Sequence, residues 1–230
     1  MTIHEEQGRA WGRLWGDWEK QYPDQLHEFS RDGILDVPTF DSQERRLLFV
    51  TAEPNLKGKE MAGVDLRCLY LEGTAHPFNQ NLSRWAGALL DGQTSFEERV
   101  DDKSVTQRLK RLAVLNLKKL AGTSTARSRV IGEHAWRDRE LILREIELIR
   151  PDVIVTSGAS VNHTFPRLMV GDRSRLPAPL VPTDLRVSGR SWSLGNRVVI
   201  PSWHPSCRHM DWQRAFERMV EHAEWLRQRS

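Results

Sequence analysis

Four short apolar runs alternate with longer amphipathic stretches along this chain. The runs occupy residues 45–52, 111–117, 153–158 and 198–201, are rich in Leu, Val and Ile, and each passes directly into polar or turn-forming residues. Continuous apolar runs of this length, bounded by charge or turn signals, are typical of strands that are buried on both faces. They predict a largely parallel β-sheet.

The stretches between these runs have helical spacing at several places. Near the N-terminus, large apolar residues recur at intervals of three and four and predict a helix that packs on the core. They are Trp11, Leu14, Trp15 and Trp18. The same spacing predicts helices over residues 82–90 and 136–149, and a closing helix over 211–229. Residues 55–78 and 160–196 show no such pattern, and we expect long loops there.

Alternating strands and helices predict an α/β fold with a mainly parallel sheet covered by helices. A length of 230 residues suits one domain. We expect a single domain over residues 1–230, with an N-terminal helical region (1–44), a core (45–210) and a C-terminal helix (211–230).

Composition narrows the classes of protein. Hydrophobic content is 39%, and no apolar stretch approaches the ~20 residues that a membrane span needs. The N-terminus lacks the apolar segment of a signal peptide, so we expect a cytoplasmic protein without membrane contact. Cys68 and Cys207 are the only cysteines, too few for a disulfide framework or a four-cysteine cluster. A net charge of +3 is compatible with a polyanionic partner.

Distinctive polar residues follow three of the four predicted strands. Glu53 comes after the first, Asn116 ends the second, and His204 follows the fourth between two prolines. Ligands of open parallel sheets bind beyond the carboxyl ends of the strands, where the loops converge. The sequence therefore predicts that these three side chains belong to one site.

Five segments carry a further signal, and in chain order they read TAEPN (51–55), HPFNQNLSRWAGALLDG (76–92), LAVLNLKK (112–119), LIRPDVIVTSG (148–158) and PSWHPS (201–206). In this order they resemble the landmark segments of the uracil-DNA glycosylase superfamily. The resemblance implies a three-layer α/β/α sandwich around a four-stranded, mainly parallel sheet. It also implies a DNA glycosylase that flips a pyrimidine out of DNA, hydrolyses its N-glycosidic bond and leaves an abasic site.

The resemblance assigns the catalytic roles to Glu53 and His204. Cleavage of the N-glycosidic bond leaves an electron-poor, oxocarbenium-like sugar and a departing base anion. The Glu53 carboxylate would stabilise the sugar and position the attacking water. The His204 imidazole would donate a hydrogen bond to the base oxygen on which charge develops, and a neutral ring suits that role because it adds no competing cation near the sugar.

Base recognition is assigned by the same resemblance to Asn55, Phe78 and Asn116. Phe78 would stack on the flipped base, and the Asn116 amide would pair with its edge. That amide can turn either way, which leaves both uracil-like and cytosine-like edges open. Asn55 stands where strict uracil excisers carry a tyrosine that blocks the pyrimidine 5-position, so a 5-substituent is also possible.

DNA contacts are expected from four further residues. Ser206 would bind a backbone phosphate, Arg208 stands at the position of the side chain that wedges into the vacated base stack, and Lys118 and Lys119 are candidate phosphate contacts. The four cysteines of the superfamily's iron–sulfur branch are missing, so no metal or cofactor is expected. We expect a monomer.

Three functions remain open at this point. The first is repair of uracil, and the second is excision of a bulky modified pyrimidine, such as those in invading phage DNA. Both would be monofunctional because no lysine is placed to act as a Schiff-base nucleophile. The third is a non-catalytic DNA-binding relative in which Glu53 has lost the water geometry. The residues do not distinguish single-stranded from double-stranded DNA as the substrate.

Overall fold

A computed structural model describes residues 3–56, 64–122, 127–175, 191–207 and 209–228. The protein is an α/β protein with a six-stranded mixed, mainly parallel sheet flanked by helices. In chain order the strands of the described residues are β1 Gly33–Ile34, β2 Leu47–Thr51, β3 Leu112–Asn116, β4 Val153–Ser157, β5 Trp192–Leu194 and β6 Arg197–Ser202. Their order across the sheet is β1-β3-β2-β4-β6-β5.

The four predicted strands are confirmed and form the parallel centre of the sheet, in the order β3-β2-β4-β6. The expectation of a four-stranded sheet is wrong, because β1 pairs antiparallel with β3 and β5 pairs antiparallel with β6. These edge strands contain two and three residues. Segments that short have no periodicity for a sequence pattern to reveal.

Helices connect the strands, and in the described residues they are α1 Ile3–Gln21, α2 Val37–Asp41, α3 Leu66–Glu72, α4 Pro77–Asp91, α5 Asp102–Leu109, α6 Ser128–Arg137, α7 Arg139–Ile149, α8 Ala159–Val170 and α9 Trp212–Arg227. A short 3-10 helix occupies Pro23–Gln25. No helix in the part of the chain that the structure describes is both long and apolar enough to cross a membrane.

Three sequence expectations about helices need correction. The single helix expected over 136–149 is two helices, α6 and α7, which meet at Asp138. The expected loop at 55–78 contains α3, and the one at 160–196 contains most of α8. Pro166 lies inside α8, and a proline within a helix removes a hydrogen bond and obscures the helical signal.

Both faces of the sheet are covered by apolar side chains. Along β2, Leu48 and Val50 belong to one core cluster and Leu47 and Phe49 to the other, all with no exposed surface. The predicted stripe of α1 packs on the first cluster, as expected. With both faces buried, the carboxyl ends of the central strands remain the place where polar side chains can gather.

Candidate active site

The sheet register brings the segments of Glu53 and His204 to the same level. Val50 of β2 is paired with Thr156 of β4, and Thr156 is paired with Pro201 of β6. Glu53 lies three positions after Val50, and His204 lies three positions after Pro201. Since only β4 separates the two strands, and neighbouring strands lie ~4.8 Å apart, the strand ends that carry these residues are roughly 10 Å apart.

The loop that carries His204 is fixed from two sides. Asn81 of α4 donates from Nδ2 to the Pro205 carbonyl at 2.7 Å. On the other side Gly158, which follows β4, has φ of +91°, and a Cβ built there would lie 3.4 Å from the His204 Cβ. A side chain at 158 would strain the backbone and would lie in van der Waals contact with His204. The position of the imidazole therefore depends on α4 and on the end of β4.

The protonation state of His204 follows from its surroundings. The Ser206 backbone N–H donates to His204 Nδ1 at 3.2 Å, so Nδ1 carries no proton. Burial lowers the pKa of the imidazole below its usual value of 6.5. At neutral pH the ring is consequently neutral with its proton on Nε2, and it can donate a single hydrogen bond.

Aromatic rings lie beside this imidazole. The Phe78 ring centroid is 5.9 Å from that of His204, at an angle of 48°. Phe78 lies in the first turn of α4, which His76 caps by accepting from the Phe78 N–H at 3.2 Å. The ring of Tyr70, from α3, stacks on Phe78 with centroids 5.5 Å apart and planes at 18°. Phe78 thus lies against both an imidazole and a phenol.

Asn116 lies at the other end of this aromatic row. Burial and Asp32 raise the pKa of the Tyr70 phenol, and the nearby Asn116 side chain acts against them. The Asn116 amide is also held from behind: Thr51 Oγ1 donates to Oδ1 at 2.7 Å, and Nδ2 donates to Asp32 at 3.0 Å. The expectation that this amide can turn either way is therefore wrong, because reversal would place its oxygen against the Asp32 carboxylate, acceptor against acceptor. The Thr51 hydroxyl can donate or accept and would suit either orientation.

The Glu53 carboxylate is directed toward β3. Its Oε2 accepts from Lys118 Nζ at 2.5 Å, and the two side chains are only 7% and 11% exposed. Lys118 Nζ also donates to the Ala121 carbonyl at 3.2 Å. The other carboxylate oxygen, Oε1, makes no hydrogen bond with any residue that the structure describes. One oxygen of Glu53 is thus anchored and the other can accept from a water.

The four expected DNA contacts have different outcomes. Lys119 has no exposed surface and binds Asp32, so its assignment to phosphate is wrong. The assignment of Lys118 to phosphate is also corrected, because its ammonium group donates to Glu53 and to the Ala121 carbonyl. Ser206 is exposed beside His204 and is accessible to a phosphate. Arg208 lies outside the described residues.

Sequence reasoning missed two residues of the site, Asp32 and Tyr70, and assigned no role to Thr51. Their signal is not local: Asp32 contacts Asn116 across 84 positions of the chain, and Tyr70 lies in a stretch expected to be loop. Asn55, the expected wall at the pyrimidine 5-position, is exposed just beyond β2.

A cavity of about 500 Å³ lies at the opposite end of the sheet, among α2, α4 and α5. Its arginines are already paired: Arg108 lies 3.5 Å from Glu97, and Arg111 contacts Asp91. Because these charges are satisfied within the protein, the residues at the carboxyl ends of the strands are the better candidate site. Among the described residues, no three His, Cys, Asp or Glu side chains are arranged to hold a metal ion.

No protein-family model matches the chain, and no curated protein matches it.

Proposed function

We propose that this protein is a monofunctional DNA glycosylase of the uracil-DNA glycosylase type. On this proposal it takes up a flipped pyrimidine and hydrolyses its N-glycosidic bond. The six-stranded sheet with helices on its faces is compatible with the three-layer sandwich of that superfamily. DNA is the proposed partner, since the reacting base must leave the stack before it can enter a protein pocket.

The observation that carries the proposal is the position of the Tyr70 ring. This one ring stacks on Phe78, and the Asn116 side chain lies near enough to its phenol to lower the pKa of that group. His204 lies beside Phe78. A flipped pyrimidine requires a space of the size of one six-membered ring, with an aromatic ring to stack on and an amide to pair with. The base would enter after Tyr70 moves aside.

The fixed amide of Asn116 favours one class of base. Asp32 precedes β1, whereas Thr51 ends β2, which lies on the His204 side of β3. A ligand that extends from His204 towards β1 therefore meets the acceptor Oδ1 of Asn116 first and the donor Nδ2 of Asn116 second. Each retains one unused hydrogen-bonding site.

A pyrimidine whose O2 is bound by His204 presents N3 next and the C4 substituent last. The acceptor requires a protonated N3, and the donor requires a carbonyl at C4. Uracil, thymine and 5-substituted uracils have this edge. Cytosine instead presents an acceptor at N3 and an amino donor at C4. The proposed substrate is therefore a 4-oxo pyrimidine.

The remaining residues supply the chemistry of bond cleavage. His204 would donate from Nε2–H to O2 as the departing base becomes an anion, a type of contact whose removal typically costs ~10²–10³ in rate. Glu53 Oε1 would orient the attacking water, and the carboxylate would stabilise the positive charge that develops on the sugar. Lys118 would hold the carboxylate through Oε2.

A base-by-base excision assay tests this function. Oligonucleotides that carry one uracil, thymine, 5-substituted uracil, cytosine or 5-substituted cytosine, single-stranded and duplex, are incubated with the protein and cleaved with alkali at abasic sites. We expect strand scission only for 4-oxo bases, with loss of activity in Glu53→Gln and His204→Ala. Absence of scission from every oligonucleotide would overturn the proposal.

One observation favours a second candidate, a non-catalytic DNA-binding protein. The ion pair with Lys118 occupies Oε2 of Glu53, and this side chain is only 7% exposed. If Oε1 does not reach the water when DNA is bound, the water would lack its base. Inert wild-type protein that binds an abasic or uracil-containing oligonucleotide tightly would support this candidate.

A further inference from the structure

Three ionisable side chains without exposed surface lie behind Asn116: Asp32, Lys119 and Glu145. Lys119 Nζ is 2.5 Å from Asp32 Oδ1 and 2.8 Å from Glu145 Oε2. Neither carboxylate oxygen of Glu145 has a hydrogen-bond partner among the described residues, so its contact with Lys119 is an ion pair. Burial of such groups carries a desolvation penalty of several kcal/mol per ion, which apolar side chains of similar volume would avoid.

Aromatic rings enclose the ammonium. The ring centroids of Trp15 and Trp18, both from α1, are 5.8 and 5.4 Å from Lys119 Nζ, a distance at which a cation is attracted to the face of an indole. Lys119 is therefore held by α1 as well as by the two carboxyl groups. The cluster connects α1 and α7 to the end of β3.

The buried groups shift one another's pKa. The pKa of Glu145 is raised well above its usual value, chiefly by burial and further by Asp32. Burial alone would lower the pKa of Lys119, but Asp32 and Glu145 outweigh it and raise the pKa. Lys119 is thus kept as an ammonium group that donates to the Asp32 carboxylate.

Asp32 transmits this arrangement to Asn116. Its Oδ2 accepts from the Asn116 backbone N–H at 2.7 Å and from Nδ2 at 3.0 Å, while its Oδ1 binds Lys119. An ionised carboxylate can only accept hydrogen bonds. The amide group of Asn116 must therefore present its nitrogen to Asp32 and its oxygen to Thr51.

We propose that Asp32 is a positioning residue that fixes the Asn116 amide so that its acceptor faces the His204 side of the site, and that Lys119 holds Asp32 in place. The assignment of a base edge as the ligand rests on the proposed function. The restraint on the amide itself does not, and it can be measured without any substrate.

Asp32→Asn and Glu145→Gln form a matched pair of variants. Each replaces a carboxyl group of the same buried cluster by an amide of equal size. In Asp32→Asn the neighbouring Glu145, 2.8 Å from Lys119 Nζ, can balance the charge of Lys119, so we expect the variant to fold. Only Asp32→Asn removes the group that obliges Asn116 to donate, since Glu145 does not contact Asn116.

Thr51→Val and Thr51→Ser test the same restraint from the other side. Valine has the shape of threonine but cannot donate to Asn116 Oδ1, whereas serine keeps the hydroxyl. This second pair leaves the buried charges untouched. It keeps the proposal testable even if Asp32→Asn does not fold.

The first readout is solvent exchange of the Asn116 side-chain amide protons, followed by NMR and assigned by the loss of their signals in Asn116→Asp. A hydrogen bond to a charged group contributes about 1.5–3 kcal/mol, so we expect exchange to accelerate about 10- to 100-fold in Asp32→Asn. Thr51→Val should show a smaller acceleration, and Glu145→Gln and Thr51→Ser should match the wild type. Unchanged exchange in both Asp32→Asn and Thr51→Val, or equal acceleration in Glu145→Gln, would overturn the positioning role.

The second readout is the ratio of excision rates for uracil and cytosine in otherwise identical oligonucleotides. We expect this ratio to fall about 10-fold or more in Asp32→Asn and to stay at the wild-type value in Glu145→Gln. A ratio that falls equally in both variants would contradict the proposal. Wild-type protein that excises nothing would remove the proposed function, while amide exchange would still decide the role of Asp32.

Discussion

Gly122 lies against the carboxylate of Glu53. A Cβ built on Gly122 would be 2.0 Å from Glu53 Cδ, far closer than two carbon atoms can approach without a bond. The Gly122 N–H donates to the Pro54 carbonyl at 2.7 Å, which fixes this segment against the one that carries Glu53. Any side chain at 122 must therefore displace the carboxylate or separate the two segments.

Gly122→Ala should accordingly impair excision without changing any group that takes part in the chemistry. A misplacement of a catalytic group by ~1 Å can lower the rate about 10²-fold, and we expect a loss of that order in single-turnover kinetics. Gly132→Ala in α6 is the matched control, because its added methyl meets only Thr164 Oγ1, at 3.9 Å. Equal rates for Gly122→Ala and wild type would mean that the position of Glu53 is irrelevant to the reaction.

Tyr70 is expected to obstruct the site that it helps to form. Removal of its ring in Tyr70→Ala should lower the free energy of unfolding by about 1–3 kcal/mol, because a half-buried aromatic side chain is lost. It should also raise kcat/KM for a bulky 5-substituted uracil by about 10-fold, if a base no longer has to displace the phenol.

Leu71→Ala is the control for this variant, since Leu71 lies on the same helix and packs against the same core cluster. It should lose stability without gaining activity. Denaturant titrations and excision kinetics on both variants separate the two effects. A Tyr70→Ala protein with lower activity on every base would instead make the phenol part of the pocket wall.

The pH dependence of excision should identify His204 as the hydrogen-bond donor. Burial lowers the pKa of His204 below 6.5, so the neutral donor persists into mildly acidic solution. Protonation at lower pH would place a cation beside the developing positive charge of the sugar and require desolvation of the charged ring. Single-turnover rates should fall only as pH drops through this lowered pKa.

His204→Ala should lower the single-turnover rate by ~10²–10³. It should also remove the part of the decrease in rate at low pH that comes from protonation of His204. His209→Ala changes an exposed histidine of the same loop region and should leave both the rate and the pH profile unaltered. If His204→Ala has the same rates and the same pH dependence as the wild type, the donor is another group.

The sequence predicted the centre of the fold because buried parallel strands are recognisable from local composition. Glu53, Asn116 and His204 could be proposed as site residues for the same reason, since each directly follows or ends such a run. Asp32 and Tyr70 were missed because their roles depend on contacts between distant segments. Two adjacent lysines after a strand resembled exposed cations, but the strand geometry turns Lys119 into the interior and Lys118 onto Glu53.

Stability should depend on pH through a histidine that is unrelated to the site. His222 in α9 has no exposed surface, and its ring nitrogens have no hydrogen-bond partner among the described residues. Burial, with a smaller contribution from Arg218, lowers its pKa from 6.5 to about 4. Between these values the unfolded chain binds a proton that the folded protein does not.

The free energy of unfolding should therefore decrease as pH falls from 6.5 to 4, with a contribution from His222 of up to about 3 kcal/mol. Above pH 6.5 this contribution is complete and constant. Denaturant titrations of His222→Leu should show a shallower decrease over the same interval, since leucine does not titrate. Parallel curves for the two proteins would show that His222 has the same pKa in the folded and unfolded chains.

The central claim is that His204 and the oriented amide of Asn116 select a 4-oxo pyrimidine for excision. Its most direct test is the single-turnover rate of wild-type protein on two single-stranded oligonucleotides that differ only in one uracil or one cytosine. Because the cytosine edge leaves buried donors and acceptors opposed, we predict excision of uracil at least ~10³-fold faster than of cytosine. Equal rates for the two bases, faster excision of cytosine, or intact glycosidic bonds in both would contradict the account.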